Sequence, residues 1–160
     1  MTIIYDNRAF VRAHAAVLAV LAILLSAGLA QALTAEDRLQ VVTQTGTYDF
    51  DVELALTPPE RAVGLMHRTH MDQDAGMLFR FDAIRPALMW MKNTLIPLDM
   101  IFIRPDGSVA DIHRNAQPHS ETVIQSSEPV RYVLELNAGV VDRIGLAPGD
   151  KVVHPIIDGN

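Results

Sequence analysis

The segment from Thr47 to Leu56 alternates between two kinds of side chain, and this alternation constrains the fold more than any other feature of the sequence. One set is Tyr48, Phe50, Val52, Leu54 and Leu56, and the other is Asp49, Asp51, Glu53 and Ala55. Because successive side chains of a β-strand point to opposite faces of a sheet, the pattern predicts a strand with one buried and one exposed face. Such half-exposed strands are typical of antiparallel sheets.

Further short apolar segments, separated by turn residues, predict more strands. They are Leu39–Thr45, Met77–Phe81, about Ala87–Asn93, Leu98–Arg104, Val109–His113 and Arg131–Leu136, with a last strand after Gly149-Asp150. Asp106-Gly107 has the residue types of a hairpin turn. Residues 82–86 are predicted to be a loop because Pro86 interrupts pairing, and residues 115–129 because they are polar.

Two short helices complete the predicted fold. The sequence TPPE at 57–60 combines an N-cap residue, proline at the first helical position and a capping-box glutamate, so we predict a helix from Pro58 to about Arg68. A second helix is predicted to end at Ile144, before Gly145. The predicted fold class is α+β, with a mainly antiparallel, curved or barrel-like sheet and two short helices.

The beginning of the chain has the features of a secretory signal peptide. Arg8 and Arg12 precede an almost entirely apolar stretch from Ala13 to Ala30, and Ala30-Gln31-Ala32 matches a small-residue cleavage site. We therefore predict a signal peptide at residues 1–32, a single globular domain at 33–160, and a periplasmic or secreted protein with no membrane contact after cleavage. The alternative is a retained anchor, since about 18 apolar residues nearly span a bilayer.

Charge and cysteine content exclude several classes of function. The chain carries −6 at pH 7; Arg8, Arg12 and Asp6 give the leader +1, which leaves −7 for the rest. It has no basic block that could neutralise phosphates, so we expect no nucleic-acid partner. The absence of cysteine excludes disulfides, thiol catalysis and Cys-ligated zinc. There is no Gly-rich phosphate loop, and we predict no cofactor.

Several motifs resemble a known family. They are ERAVGLMHR at 60–68, GMLFRF at 76–81, WMKNTLIPLDMIFI at 90–103, YVLELNAG at 132–139 and GD at 149–150. In this order and spacing they resemble the family known as domain of unknown function 192, over about Gln40 to His154. The resemblance implies a fold class, candidate positions and, because many members look like exported bacterial proteins, a role outside the cytoplasm. It implies no mechanism, because the family has no established activity.

The third motif places polar residues in an apolar stretch. In an extended strand, Trp90, Lys92 and Thr94 share one face. A lysine beside an indole suits a carboxylate, phosphate or sugar ligand, and Asn93 next to it can fix the orientation of that ligand. In the structural alternative, Lys92 pairs with a carboxylate and Asn93 satisfies nearby backbone groups.

Two arginines and a glycine form a stripe on the predicted first helix. Arg61, Gly64 and Arg68 are spaced i, i+3 and i+7, so they share a face that could bind an anion. Gly64 costs about 1 kcal/mol of helix propensity relative to alanine, and close packing or a ligand near the backbone should compensate. In the structural alternative, both arginines pair with acidic residues of the preceding strand.

Glu60, Asp99 and Glu135 are the candidates for acid–base chemistry. Period two in YVLEL places Glu135 on the face opposite Leu134 and Leu136, where a carboxylate could be a general base or a counter-ion. An envelope hydrolase that used Glu135 or Asp99 would need a carboxylate of raised pKa facing a cleft. No nucleophile–base–orienter order stands out in the sequence.

Histidines and methionines offer a metal-binding alternative. His67 lies near the end of the predicted helix, and His70 follows three residues later, just beyond it. The neighbouring methionines are Met66, Met71, Met89 and Met91. Imidazole and thioether ligands suit Cu(I), so the chain could be a periplasmic Cu(I)-binding protein. The favoured interpretation has solvated histidines and core-filling methionines, and it assigns no metal ligand.

We expect one shallow polar pocket to unite these motifs where the sheet meets the first helix. The predicted pocket residues are Arg61, Arg68, Trp90, Lys92, Asn93, Asp99 and Glu135. The predicted function is that of a small binding module for an anionic or sugar-like ligand or for an envelope protein. The envelope hydrolase and the Cu(I)-binding protein are the alternatives.

Overall fold

The computed structural model describes residues 37–158, so the predicted signal peptide lies outside the described residues. The strands are β1 (Arg38–Thr43), β2 (Gly46–Ala55), β3 (Ala75–Arg85), β4 (Leu88–Met89), β5 (Leu98–Ile103), β6 (Val109–Ala116), β7 (Ile124–Gln125), β8 (Val130–Asn137) and β9 (Lys151–Val153). The helices are α1 (Pro58–Val63), α2 (Val140–Ile144) and α3 (Pro155–Asp158). In this part of the chain no helix has the length and apolar character needed to cross a membrane. The predicted α+β class is confirmed, and α3 adds a third short helix.

Seven strands form one sheet in the order β6-β5-β8-β3-β2-β1-β9, while β4 and β7 pair separately. Neighbours in the large sheet are antiparallel except for β2 and β3, which are parallel. A parallel pair needs a long crossover, and residues 56–74, which include α1, provide it. The mainly antiparallel sheet is therefore confirmed, with one parallel pair that places α1 beside the sheet.

The large sheet is curled into a half-barrel, because its two edge strands approach each other at one end. Ser108, at the start of β6, forms a bridge with Lys151 of β9. The Val152 N–H donates to the Gly107 carbonyl over 2.8 Å. A Cβ on Gly107 would lie 2.6 Å from the Val152 carbonyl oxygen, and φ at Gly107 is 85°, so the contact requires glycine. The predicted Asp106-Gly107 turn thus also joins the two edges.

The sheet buries apolar side chains on both faces, which we name after residues of β8. The core of the Tyr132 face includes Leu39, Phe50, Ile101, Tyr132, Leu134 and the α2 residues Val140, Val141 and Ile144. The core of the Glu135 face includes Met77, Phe79, Met100 and Val133 and is covered by loop residues such as Leu65, Met71 and Met91. β5 and β8 are buried on both faces, so they read as continuous apolar runs, whereas β2 shows the alternation of a half-exposed strand.

The first helix is shorter than predicted. α1 ends at Val63 because Gly64 has φ 49° and ψ −133°, which lies outside the helical region. The capping box is confirmed: Thr57 accepts a hydrogen bond from the Glu60 N–H, and the Glu60 carboxylate accepts one from the Thr57 N–H. A Cβ on Gly64 would lie 3.1 Å from the Phe79 ring, so close packing and backbone conformation account for the glycine.

One predicted strand and two predicted loops also differ from the structure. The predicted strand at Ala87–Asn93 is paired only over β4, because the chain turns away and Asn93 reaches a left-handed φ of 57°. The predicted loop at 82–86 is mostly part of β3, which extends to Arg85. The predicted loop at 115–129 contains β7, which pairs with β4.

Candidate ligand-binding cleft

A cleft opens on the Glu135 face between α1 and the chain around β4. Its volume is about 60 Å³. One wall is formed by residues 61–66 and the other by residues 88–90 together with Thr94. Phe79 of β3 and Glu135 of β8 project from the sheet and form the floor.

Glu135 is a buried residue whose carboxyl makes no hydrogen bond or ion pair with the part of the chain that the structure describes. The residue is 4% exposed, and its neighbours directly across the two ladders are Met77 and Met100. Within residues 37–158 no hydrogen-bond donor or cation contacts this carboxyl. Burial alone raises the pKa of Glu135 from its ordinary value of 4.5 to about 8. At neutral pH the floor of the cleft therefore presents a mostly protonated carboxyl, which can both donate and accept a hydrogen bond.

Trp90 lies at the mouth of the cleft and is 46% exposed. The Lys92 Nζ lies 5.2 Å from the centroid of the Trp90 ring and 3.9 Å from a carboxylate oxygen of Glu121. Lys92 is not a wall residue, so it is connected to the cleft through the indole. An exposed indole with a neighbouring ammonium group provides a flat, amphipathic platform for a ligand.

Arg61 lines the cleft, but its guanidinium group is already engaged. Nη1 donates to the carbonyl oxygens of Leu56 and Arg80, and Nη2 lies 2.7 Å from a carboxylate oxygen of Asp82. The group also lies over the Phe81 ring, 5.8 Å from its centroid. Arg61 therefore fastens α1 to β3 and has little capacity left for an anion.

Arg68 lies outside the cleft. Because α1 ends at Val63, the predicted stripe of Arg61, Gly64 and Arg68 on one helical face does not exist. Both terminal nitrogens of Arg68 contact the Glu53 carboxylate, with Nη2 2.5 Å from Oε2. This hydrogen bonding raises the pKa of Arg68. Arg68 therefore pairs with an acidic residue of the preceding strand, as in the structural alternative.

Asp99 is buried on the Tyr132 face, away from the cleft. It is 1% exposed, and it pairs in the ladder with Leu136 rather than with Glu135. Its two oxygens accept hydrogen bonds from the N–H groups of Asn115, over 2.9 Å, and Val141, over 3.0 Å. Val141 is in the first turn of α2, so Asp99 caps that helix from a neighbouring strand.

Asn93 occupies an exposed turn beside the cleft. Its carbonyl oxygen accepts a hydrogen bond from the His67 N–H over 2.9 Å, and its side-chain nitrogen lies 3.8 Å from the Met66 sulfur. The left-handed backbone and these contacts support the structural alternative for Asn93. The structure thus brings together Arg61, Trp90 and Glu135, places Lys92 beside them, and separates Arg68, Asn93 and Asp99 from the floor.

The histidines and methionines do not converge as a copper site would require. His67 and His70 are exposed, and His70 Nε2 lies 3.0 Å from a carboxylate oxygen of Asp72. Met71 and Met91 are buried in the core of the Glu135 face. Within the described part of the chain, His, Asp and Glu form no group of three or more that could hold a metal ion.

The predicted pocket omitted several residues that line the cleft. Phe79, Met89 and Thr94 line the cleft, yet each has the residue type of an ordinary core or turn position. The signal that could have found Phe79 is the alternation of GMLFRF, which places Phe79 and Met77 on one face of β3. Thr94 lies just beyond the left-handed Asn93, so no strand periodicity applies to it.

Comparisons with known proteins agree with the fold. The family DUF192, described as Uncharacterized ACR, matches residues 40–154. One solved structure is that of a proposed transcription regulator from Sinorhizobium meliloti 1021, whose sequence is 55% identical to this chain. Its TM-score is 0.71, and the match covers 73% of this chain and 92% of that chain. A protein of unknown function from Novosphingobium aromaticivorans DSM 12444 is 42% identical with a TM-score of 0.71, over 72% of this chain and 83% of that one. No curated protein matches the chain.

Proposed function

The chain belongs to the DUF192 family, and we propose that its domain is a small binding module for a neutral, hydroxyl-bearing ligand such as a sugar. The observation that carries the proposal is Glu135, which is 4% exposed at the floor of a cleft and whose carboxyl has no partner among residues 37–158. A buried polar group that lacks a partner costs about 1–3 kcal/mol. A ligand hydroxyl that donates to and accepts from this carboxyl would offset that cost.

The charges around the cleft favour a neutral ligand over an anionic one. Arg61 is paired with Asp82, and Arg68 is paired with Glu53 outside the cleft. An anionic group on the floor would lie beside a buried carboxyl and would raise its pKa further. Of the two expected ligands, anionic and sugar-like, we therefore propose the sugar-like one. Its ring would lie on Trp90, and one of its hydroxyl groups would contact Glu135.

A second candidate function is acid–base catalysis, which the raised pKa of Glu135 favours. Glycoside hydrolysis commonly needs a second carboxyl at about 5–9.5 Å. Among the cleft residues that the structure describes, Glu135 is the one carboxyl, while Asp99 lies on the other face with both oxygens hydrogen-bonded. Binding without turnover is therefore preferred. Hydrolysis of nitrophenyl glycosides that is lost in Glu135→Gln would favour the enzyme instead.

We also propose that the domain acts outside the cytoplasm, on the strength of the predicted signal peptide. We do not propose that this chain regulates transcription, although the Sinorhizobium meliloti protein is described as a regulator. α1, with six residues, is the longest helix in the described region, which is short for a recognition helix, and the predicted domain carries −7. A Cu(I) function is not proposed either, because His67 and His70 do not line the cleft.

Trp90 makes the proposal directly testable, because it is the single tryptophan of the chain and lies at the cleft mouth. The domain at 33–160 is titrated with glucose, galactose and N-acetylglucosamine, and with the acids glucuronate and galacturonate, while tryptophan emission is recorded. We expect at least one neutral sugar to shift the emission with saturation. The acid that corresponds to that sugar should bind at least about tenfold more weakly, equal to 1.4 kcal/mol.

Two variants separate the cleft from general effects. Glu135→Met removes the polar floor and leaves a side chain like those of its neighbours Met77 and Met100, so it should abolish the emission change. Asp49→Asn changes an exposed carboxylate on β2 and should leave binding unaltered. The proposal is contradicted if no sugar alters the emission, or if the change persists in Glu135→Met.

A further inference from the structure

An open trough of about 410 Å³ lies on the other side of the α1 segment from the cleft. Its apolar lining is Leu54, Ala55, Pro59, Val63 and Met77. Its polar lining is the Arg68–Glu53 ion pair together with Glu60 of the capping box. The charged groups that touch the trough are therefore already paired or hydrogen-bonded, and the surface left for a ligand is apolar.

The cleft and the trough adjoin each other on the Glu135 face. Met77, which lines the trough, lies directly across the ladder from Glu135, which lines the cleft. Side chains in such pairs are about 5 Å apart. Val63 and Gly64 line both spaces and form the ridge between them.

The volumes of the cleft and the trough indicate which part of a ligand each could hold. Ligand pockets usually have about 300–1,000 Å³, so the 60 Å³ cleft can hold only a small group, whereas the 410 Å³ trough has the usual size. The cleft offers a protonated carboxyl and an indole to a polar group. The trough offers aliphatic side chains, which favour removal of hydrocarbon from water.

We infer that the cleft and the trough form a single site for an amphiphile, with a neutral hydroxyl-bearing head on Glu135 and Trp90 and an aliphatic chain in the trough beside Val63 and Met77. This inference rests on the proposed function and narrows its ligand to molecules that join such a head to a hydrocarbon chain. A chain attached to the head would pass over the segment at Val63 and Gly64, which lines both spaces, and leave the Arg68–Glu53 pair intact.

The test uses methyl, butyl and hexyl glucosides below their micelle concentrations, with binding measured by calorimetry and by Trp90 emission. Each methylene that enters the trough should increase the affinity by up to about fourfold, equal to about 0.8 kcal/mol. Pro59→Asp places a charge at the trough wall, outside the cleft, and should remove this chain-length gain while methyl glucoside still binds. Pro58→Asp is the matched control, because Pro58 is the neighbouring exposed proline of α1 and lines neither space.

The outcomes distinguish this inference from the proposed function. Equal affinity for the three glucosides, or a chain-length gain that persists in Pro59→Asp, overturns the amphiphile site while binding of methyl glucoside upholds the proposed function. A chain-length gain that is lost in Pro59→Asp but unchanged in Glu135→Met upholds the trough and contradicts the role of Glu135. Silence of all three glucosides contradicts the amphiphile site, and it contradicts the proposed function as well when galactose and N-acetylglucosamine are also silent.

Discussion

Asp99 and Glu135 lie on neighbouring strands one residue out of register, so their buried carboxyls lie on opposite faces of the sheet. Asp99 pairs with Leu136, and Glu135 pairs with Met100. Asp99 accepts hydrogen bonds from two backbone N–H groups, whereas no hydrogen-bond donor or cation in residues 37–158 contacts the carboxyl of Glu135. The first carboxyl completes the fold, and the second is the one that we propose as a ligand-binding group.

Asp99→Ala should destabilise the domain by about 3 kcal/mol, because two hydrogen bonds to its carboxyl are lost and the buried Val141 N–H is left without an acceptor. Urea denaturation at neutral pH measures this change. Asp142→Ala is the control: Asp142 is an exposed α2 residue in an ion pair with Arg114, and its loss should cost less than about 1 kcal/mol. Equal effects of the two substitutions would contradict the capping role of Asp99.

Glu135→Met should stabilise the domain at pH 7 by about 1–3 kcal/mol, because it replaces an unpartnered buried polar group with an apolar side chain of similar length. Thermal and urea unfolding measure the gain. Val133→Met, on the same strand and face, should instead destabilise the domain by about 1–3 kcal/mol through overpacking. A loss of stability in Glu135→Met would show that this carboxyl has a structural partner.

The stability of the wild-type domain should decrease with rising pH between 4.5 and about 8, relative to Glu135→Met. In this range the unfolded chain releases the Glu135 proton while the folded chain retains it, so the folded state binds more protons and loses stability as pH rises. The limiting slope is about 1.4 kcal/mol per pH unit, and the difference is constant above pH 8. Urea unfolding of both proteins at several pH values measures it; parallel curves would contradict the prediction.

Gly64→Ala should destabilise the domain by about 2 kcal/mol, since the backbone conformation is strained for alanine and its Cβ would press on the Phe79 ring at 3.1 Å. Gly139→Ala separates the two causes, because Gly139 also has a left-handed φ, 86°, but a methyl group added there would meet no neighbouring group within 4 Å. Urea unfolding should give the smaller loss for Gly139→Ala. If the losses are equal, contact with Phe79 is not significant.

The elements governed by local chemistry could be predicted from the sequence. The alternation of β2, the capping box at Thr57 and the turn at Asp106-Gly107 each depend on a few adjacent residues, and all three are confirmed. The parallel pairing of β2 with β3 depends on contacts between distant segments. No adjacent residues encode it, so the sequence predicted the strands without their order.

Less of the candidate site than of the fold could be predicted, because the site also depends on contacts between distant segments. Trp90 and Glu135 were identified because each is an exception to its surroundings, an indole beside a lysine and a carboxylate between leucines. Arg68 was placed beside Arg61 by assuming a continuous helix, but a single backbone conformation at Gly64 ends that helix. The face on which Asp99 lies depends on the register of β5 with β8, which the sequence alone does not determine.

The pKa of Glu135, measured by carbon-13 NMR of its side-chain carboxyl across a pH titration, decides whether the floor of the cleft is free for a ligand. Glu135→Gln identifies the resonance, since it removes one glutamate signal from the spectrum. We predict a midpoint of about 8, as expected for a buried carboxyl without a partner. A midpoint at or below the ordinary value of 4.5 would show that a donor or cation already occupies the floor of the cleft, and would contradict the binding site proposed there.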